Sequence, residues 1–337
     1  SFSAEKIKQL KFSTINDILN MVPAYEVQRR EMGDMILVRG VNPSVLYLID
    51  GIPFSTDSFE LDKYFSLGVV KTVEITRGPG SVLWGANALL GIVNIITKDA
   101  EDINGFEATV GAGTFNEQQY SLTFGKKING LKIFMHGKYW ETNEGNVFMD
   151  KSLKATNWFN VWDPSIDPVA WQEYWDSSKQ DYWDNAYDGP KELIWEDCGK
   201  IKRAKDRYFD LFTKFGYKNF TLTYKYADNK NKYNISEYGS VINSEAANYF
   251  TYPSHFAALK YENKLNTNFS VSGKLSYQEK WGNNCEYYLK PSEFMPYGYL
   301  TENGGCEATA GFDFQLDYCV DDLYNILGFS YVRTRVG

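Results

Sequence analysis

The chain has 337 residues, 43% of them hydrophobic, which is enough for a sizeable core or for two domains. Its formal net charge is −8 and no lysine-arginine stripe interrupts the acidic balance, so the electrostatic footprint of a nucleic-acid binder is missing. No run approaches the roughly 18 apolar residues of a transmembrane helix, so any membrane span must be built from strands.

Up to about Asp99 the sequence reads as a small mixed α/β unit. Ser13 or Thr14 can cap a helix through Ile15, Ile18, Leu19 and Val22, which Pro23 ends. Met35 to Val38, Val45 to Ile49 and Val69 to Ile75 are short apolar strands, with Asp50-Gly51 as a turn and Leu61 to Phe65 as a short helix. The stretch RGPGSVLWGANALLGIVNIITK, Arg77 to Lys98, has its glycines early and its β-branched residues late. Gly80 and Gly85 have the spacing of a phosphate-binding loop, but Ala86 and Asn87 stand where Lys and Ser or Thr are needed, which argues against nucleotide hydrolysis. Val93 to Thr97 closes the unit as a buried strand.

From about Gly105 the grammar changes to period two. Tyr120, Leu122 and Phe124 alternate with Gln119, Ser121 and Thr123, and the same holds around Phe220 to Tyr226, Phe269 to Tyr277 and Phe312 to Tyr318. A soluble sandwich also alternates, so the connections decide. After a first link at Gly113 to Asn116, short turns at Lys126 to Gly130, Lys218-Asn219, Asn266-Thr267 and Asp321 to Tyr324 alternate with long loops over 143–203, 229–253 and 282–308. Tight turns on one side and long loops on the other are the pattern of a transmembrane barrel. The aromatic content, 17% with 25 Tyr, 22 Phe and 9 Trp, fits the girdles of such a barrel.

About nine strands can be counted, the last over Asn325 to Gly337. An open edge is not tolerated in lipid, and an eight-stranded barrel is filled by its own side chains. The expected architecture is therefore a small α/β unit over 1–104 followed, over 105–337, by the first part of a larger antiparallel transmembrane β-barrel, truncated or completed by another chain. The chain begins at Ser1 without a signal peptide and reads as a mature or trimmed form.

The N-terminal segments STINDILNMVPAYEV (Ser13 to Val27), LVRGV (Leu37 to Val41), VLYLIDGIPF (Val45 to Phe54) and VVKTVEITRGPGSVLWGANALLGIVNIITK (Val69 to Lys98) resemble the plug domain of TonB-dependent outer-membrane receptors and transporters. The remainder is similar to the first strands of their barrel. The resemblance implies a plug inside a 22-stranded barrel, extracellular ligand binding and energy supplied through TonB. It makes Gly40, Gly51, Gly78, Gly80 and Gly85 the plug's turn glycines, able to take positive φ. Arg39 and Arg77 match the two plug arginines that face acidic residues on the barrel's inner wall, where a guanidinium holds carboxylates by paired but breakable bonds. No segment before Ser13 reads as the TonB-binding stretch that precedes the plug in this family.

The loop over 143–203 holds Trp158, Trp162, Trp171, Trp175, Trp183 and Trp195. These tryptophans form either the loop's own small core or an exposed platform for a ligand or a partner such as a surface lipoprotein lid. The acidity of the loop disfavours an anionic ferric catecholate and turns the expectation toward a neutral or cationic chelate, cobalamin, an oligosaccharide or a peptide. His136 and His255 read as wall residues rather than haem ligands. Cys285 and Cys306 share the 282–308 loop and pair best with each other, suited to an oxidising exterior; Cys198 has no assigned partner, and Cys319 is expected to be free and to face the lumen. No C-x-x-C spacing marks a metal or redox site, no nucleophile, base and oxyanion arrangement marks an enzyme, and no resident cofactor is expected. Two readings remain: TonB-dependent uptake of a scarce bulky nutrient, with a ferric siderophore or other metal chelate ahead of the rest, or a surface binding and assembly protein that uses the tryptophan-rich loop to hold a partner.

Overall fold

A computed structural model of the protein describes residues 1–28, 35–41, 45–54, 65–78, 90–142, 147–148, 200–201, 206–232, 249–251, 253–283, 287–289, 299–301, 304–320 and 323–336. The N-terminal unit contains β1 (Phe2–Ser3), α1 (Ala4–Gln9), α2 (Ile15–Asn20), β2 (Tyr25–Gln28), β3 (Met35–Val38), β4 (Val45–Ile49), β5 (Ile52–Pro53), β6 (Val70–Arg77), β7 (Gly91–Thr97) and α3 (Ala100–Ile103). Its main sheet has the order β1-β6-β7-β4-β5, with β7 antiparallel to β6 and parallel to β4, while β2 and β3 make a separate hairpin. Strand β7 buries Ile92, Val93 and Ile95 in a near-continuous apolar run, as a strand covered on both faces does.

Helix α2 starts where the sequence places it. The Thr14 hydroxyl accepts from the Asp17 N–H at 3.2 Å and the Asp17 carboxylate accepts from the Thr14 N–H at 3.0 Å, a reciprocal capping box. The next turn sends Ile15, Ile18 and Leu19 into the core with no exposed surface. Strand β1 and helix α1 are outside the sequence expectation; Phe2 pairs with Val73 and Ile7 is buried. At two and six residues they are too short for periodicity to reveal, and tertiary contact holds them. Of the helix expected over Leu61 to Phe65, only Phe65 lies within the described residues, and it is buried.

The second sheet is the wall. Its elements are β8 (Gly105–Ala112), β9 (Gln118–Ile128), β10 (Leu131–Thr142), the short pair β11 (Val147–Phe148) and β12 (Lys200–Ile201), β13 (Asp206–Tyr217), β14 (Phe220–Lys232), β15 (Tyr249–Thr251), β16 (Ser254–Lys264), β17 (Phe269–Asn283), the short pair β18 (Tyr287–Leu289) and β19 (Tyr299–Thr301), β20 (Gly304–Val320) and β21 (Leu323–Val336). Strands β15 and β16 both lie between β14 and β17 and act as one broken wall strand, so nine antiparallel wall strands follow one another in chain order. Among the described residues β8 and β21 each have one neighbour.

Turn chemistry sets the register. Asn129 and Gly130, both at positive φ, join β9 to β10 in a two-residue hairpin, which favours residues tolerant of that conformation. At the next comparable turns Lys218-Asn219 joins β13 to β14, and the Asn266 side chain accepts from the N–H groups of Asn268 and Phe269 before β17. With register fixed, Tyr120, Leu122, Leu222, Leu275, Phe312 and Phe329 face outward and are exposed. Aromatic pairs Phe220–Tyr261 and Phe269–Tyr318, with centroids 4.8 and 4.5 Å apart, ring the tight-turn end of the outer face, and Tyr277, Trp281 and Tyr331 lie toward the long-loop end. The inward face is largely polar, but Phe134, Phe212 and Phe256, with Tyr208, Ala227 and Ala258, join the N-terminal unit in one apolar cluster.

Candidate functional site

The N-terminal unit meets the wall through an apolar centre flanked by polar zones. At the centre, Phe54 contacts Phe65 and Phe256 edge to face at 5.6 and 5.7 Å, beside the Phe134–Phe212 pair at 6.0 Å. Burial of such rings supplies affinity without direction, about 1.5–3 kcal/mol for each fully covered side chain. The polar zones supply the orientation.

The deepest zone forms where the segment after Phe65 runs along β9, β10, β13 and β14. The Asp210 carboxylate accepts from the Ser66 N–H at 3.2 Å and, through the same oxygen, from the Tyr208 hydroxyl and the Lys225 ammonium. Lys225 and Asp210 are 1% and 0% exposed, and Lys225 Nζ also stands 4.9 Å from the Phe65 ring centroid. The neighbouring His136 bridges the two bodies: Nε2 is 2.9 Å from Ser66 Oγ and Nδ1 is 2.9 Å from Thr123 Oγ1. Gly68 lies flat against the imidazole, where a Cβ would come within 2.3 Å of His136 Cε1. A glycine is required by this close approach rather than by its φ.

The second zone lies nearer the tight turns. Asp50 and Gly51, at φ +50° and +74°, make the β4–β5 turn that the sequence predicts. The Asp50 carboxylate accepts from the Thr97 N–H at 2.8 Å, from the Thr97 hydroxyl at 2.6 Å and from Lys214 Nζ on β13 at 2.8 Å. Lys214 Nζ also donates to Thr97 Oγ1 at 2.8 Å, and Lys274 Nζ on β17 donates to the Gly51 carbonyl at 3.0 Å. Here the N-terminal unit supplies the anion and the wall the cation, the reverse of the arginine-to-carboxylate arrangement expected from resemblance.

A third zone sits at the junction of the two bodies. Helix α3 carries a capping box between Asp99 and Asp102 and ends at Asn104, φ +45°. Lys71 pairs with Asp102 at 2.8 Å, and Lys132 reaches Glu101 at 3.1 Å. These pairs are solvent-exposed and individually weak. Gly125 on β9 lets α3 approach, since a Cβ there would meet Ile103 Cβ at 2.9 Å.

The residues singled out from sequence fall in different places. Gly40, Gly51 and Gly78 all have positive φ, and Gly80 and Gly85 lie outside the described residues. Arg39, at φ +54°, and Arg77, at the end of β6, are exposed, and neither pairs with a carboxylate among the described residues. Arg77 stands near Tyr25, whose buried hydroxyl has its pKa pushed up to about 12 by desolvation, the arginine charge opposing. Trp158, Trp162, Trp171, Trp175 and Trp183 lie outside the described residues, as do Cys198 and Cys285. The expected Cys285–Cys306 pairing therefore lies outside the described residues at its Cys285 end; Cys306 itself stands as a thiol on β20, opposite Trp281, donating to Glu279 at 3.7 Å. Residue 306 has already joined the wall, where outward alternation and not the loop decides its direction. Cys319 is free and shares the inward parity of Asp313 and Asp317.

Sequence reasoning did not single out Ser66, Asp210, Lys214 or Lys225, and read His136 only as a wall residue. Charges on the inward face of a strand look alike whether they meet water or protein. A signal was present in the period-two violations, because Phe134, Phe212 and Phe256 stand at inward positions and mark where the wall is covered.

A family model described as TonB-dependent Receptor Plug Domain matches residues 1–92. The vitamin B12 transporter BtuB of Vibrio vulnificus (strain CMCP6) is 27% identical over 146 residues, 42% of this chain and 24% of that protein. Similar solved structures include the siderophore receptor PiuA from Acinetobacter baumannii (TM-score 0.63, 17% identity, 99% of this chain and 45% of that one). The FrpB iron transporter from Neisseria meningitidis is similar at a TM-score of 0.65 and 12% identity, over 99% of this chain and 47% of that one. The ferric yersiniabactin uptake receptor FyuA from Yersinia pestis is similar at a TM-score of 0.63 and 12% identity, over 99% of this chain and 48% of that one. The chain thus spans about a quarter of its curated relative and a little under half of these structures. The plug-domain match covers the N-terminal 92 residues, and the nine strands of antiparallel wall behind them share the fold of these outer-membrane receptors and transporters.

Proposed function

We propose that residues 1–104 act as the plug and residues 105–337 as part of the barrel of a TonB-dependent transporter that takes up a scarce, bulky metal chelate, a ferric siderophore ahead of cobalamin. The observation that carries this reading is the polar character of the plug–wall contact. Asp50, Ser66 and Thr97 are held by Lys214, Asp210 and His136 through hydrogen bonds and ion pairs, a kind of contact that entering water can replace one bond at a time. A plug packed by apolar contact alone gains nothing from such exchange. TonB is the proposed source of the work, and Arg39 and Arg77 are proposed to lock the plug to the wall.

The test is uptake of a labelled ferric hydroxamate, a ferric catecholate and cobalamin by cells carrying the intact receptor, with and without a functional TonB system. TonB-dependent accumulation of one chelate is the expected result, and Arg77→Ala should reduce it while barrel insertion persists. Surface binding of a partner with no energy-dependent accumulation of any probe would overturn the proposal in favour of a binding and assembly role for the tryptophan-rich loop.

A further inference from the structure

The outward face carries a feature that plug docking does not use. A shallow groove of about 420 Å³ opens on the outer surface, and its floor is made where the alternation supplies small residues, Ala257 on β16 and Ala310 on β20. Larger side chains, among them Leu222, Leu275, Phe312 and Tyr331, raise its flanks. Strand register places Ala257 opposite Tyr277, Tyr277 opposite Ala310, and Ala310 opposite Arg333, so the floor leads directly to a guanidinium. One row nearer the long loops, Glu279 stands opposite Ala308, and Ala308 opposite Arg335.

Arg333 and Arg335 are exposed on the outward face, and neither makes an ion pair among the described residues. The nearby carboxylate, Glu279, is engaged by the Tyr277 hydroxyl at 3.1 Å and by the Cys306 thiol. Among the described residues, the two guanidiniums therefore outnumber the one carboxylate beside them. By register they lie one and two outward rows beyond Tyr331 toward the long loops, on the side of Tyr277 and Trp281, and aromatic girdles of this kind mark the interface of a membrane barrel.

We propose that this groove is a binding site for an anionic, phosphate-bearing lipid of the outer leaflet, one acyl chain lying over Ala257 and Ala310 and the phosphate meeting Arg333 and Arg335. Charge complementarity identifies the occupant. In a bilayer the groove gains no hydrophobic driving force, because lipid tails are as apolar as the leucines around them. Any hydrocarbon can fill the depression and restore its dispersion contacts. Selection comes from the phosphate, whose oxygens fit the planar donor fork of arginine.

The test uses the intact receptor purified from outer membranes in mild detergent. Native mass spectrometry measures retention of phosphatidylglycerol against phosphatidylcholine of matched chain length. The expected result is preference for the anionic lipid, reduced roughly fivefold per guanidinium and so about 25-fold in R333Q/R335Q. R333K/R335K keeps the charge but not the planar fork and should retain only part of the preference, and A310L, which fills the floor, should lower retention with both arginines present. Equal retention of the two lipids by the unaltered receptor overturns the proposal. So does preference that survives R333Q/R335Q, which means snorkelling side chains without a site. Preference lost with the arginines but untouched by A310L also overturns it, since headgroup attraction alone then accounts for binding. Unchanged thermal unfolding of each variant is the folding control.

Discussion

Replacing Lys225 with Met is the sharpest perturbation of the plug seat. Lys225 and Asp210 are 1% and 0% exposed, so the variant leaves a carboxylate buried without its cation. Breaking a buried pair by removing one partner costs about 3–5 kcal/mol. Here the Tyr208 hydroxyl and the Ser66 N–H still donate to Asp210, which points to the lower end, about 3 kcal/mol or roughly a 150-fold rise in plug opening. Hydrogen exchange followed by mass spectrometry reads this directly, because the Ser66 N–H is one of the donors and exchange reports local opening. Peptides over residues 65–78 should exchange faster in K225M, while a wall peptide over 254–264 keeps its protection. The double variant D210N/K225M leaves no buried charge and retains an acceptor for Ser66, so it should recover to within about 1 kcal/mol of the unaltered protein. Unchanged exchange over 65–78 in K225M, or an equal loss of protection in the wall, would refute the idea that this pair seats the plug.

Three further outcomes are expected. Gly68→Ala puts a Cβ within 2.3 Å of the His136 ring, so the loop must shift at a cost of about 1–3 kcal/mol, and His136→Ala should relieve it; equal exchange in G68A would show that the loop yields freely. Burial of the Asp17 carboxyl raises its pKa, but donors from Ser13 and Thr14 outweigh this and hold it below the usual carboxylate value. Its contribution is therefore present above the unfolded pKa and lost as pH falls through the lowered one; protection of α2 should fade in acid, and an Asp17→Asn variant with the same acid profile would contradict the assignment. Alkylation of the native protein without reductant should label Cys306, whereas recovery of a Cys285–Cys306 cross-linked peptide would restore the bridge expected from sequence.

Strands β3, β4, β6 and β7 of the N-terminal unit and the long strands of the wall were legible from sequence because each follows a local rule. Apolar runs over 35–38 and 45–49, the Asp50-Gly51 turn, the Thr14 cap and the period-two alternation depend on residues near one another in the chain. The nine wall strands and their connections follow from the same local signals. Tertiary structure alone decided which inward charges meet the N-terminal unit. Ser66 lies 144 residues from Asp210 and Asp50 lies 164 residues from Lys214, separations at which no periodicity carries information. Wall register set Asp210 diagonally across from Lys225 on the adjacent strand and placed His136 opposite Thr123. Cys306 illustrates the difference: its sequence neighbourhood reads as a loop suited to a bridge, yet strand pairing carries β20 as far as Gly304 and turns the thiol outward. Local pattern determined what each segment is, and packing of one body against the other decided which of its side chains act.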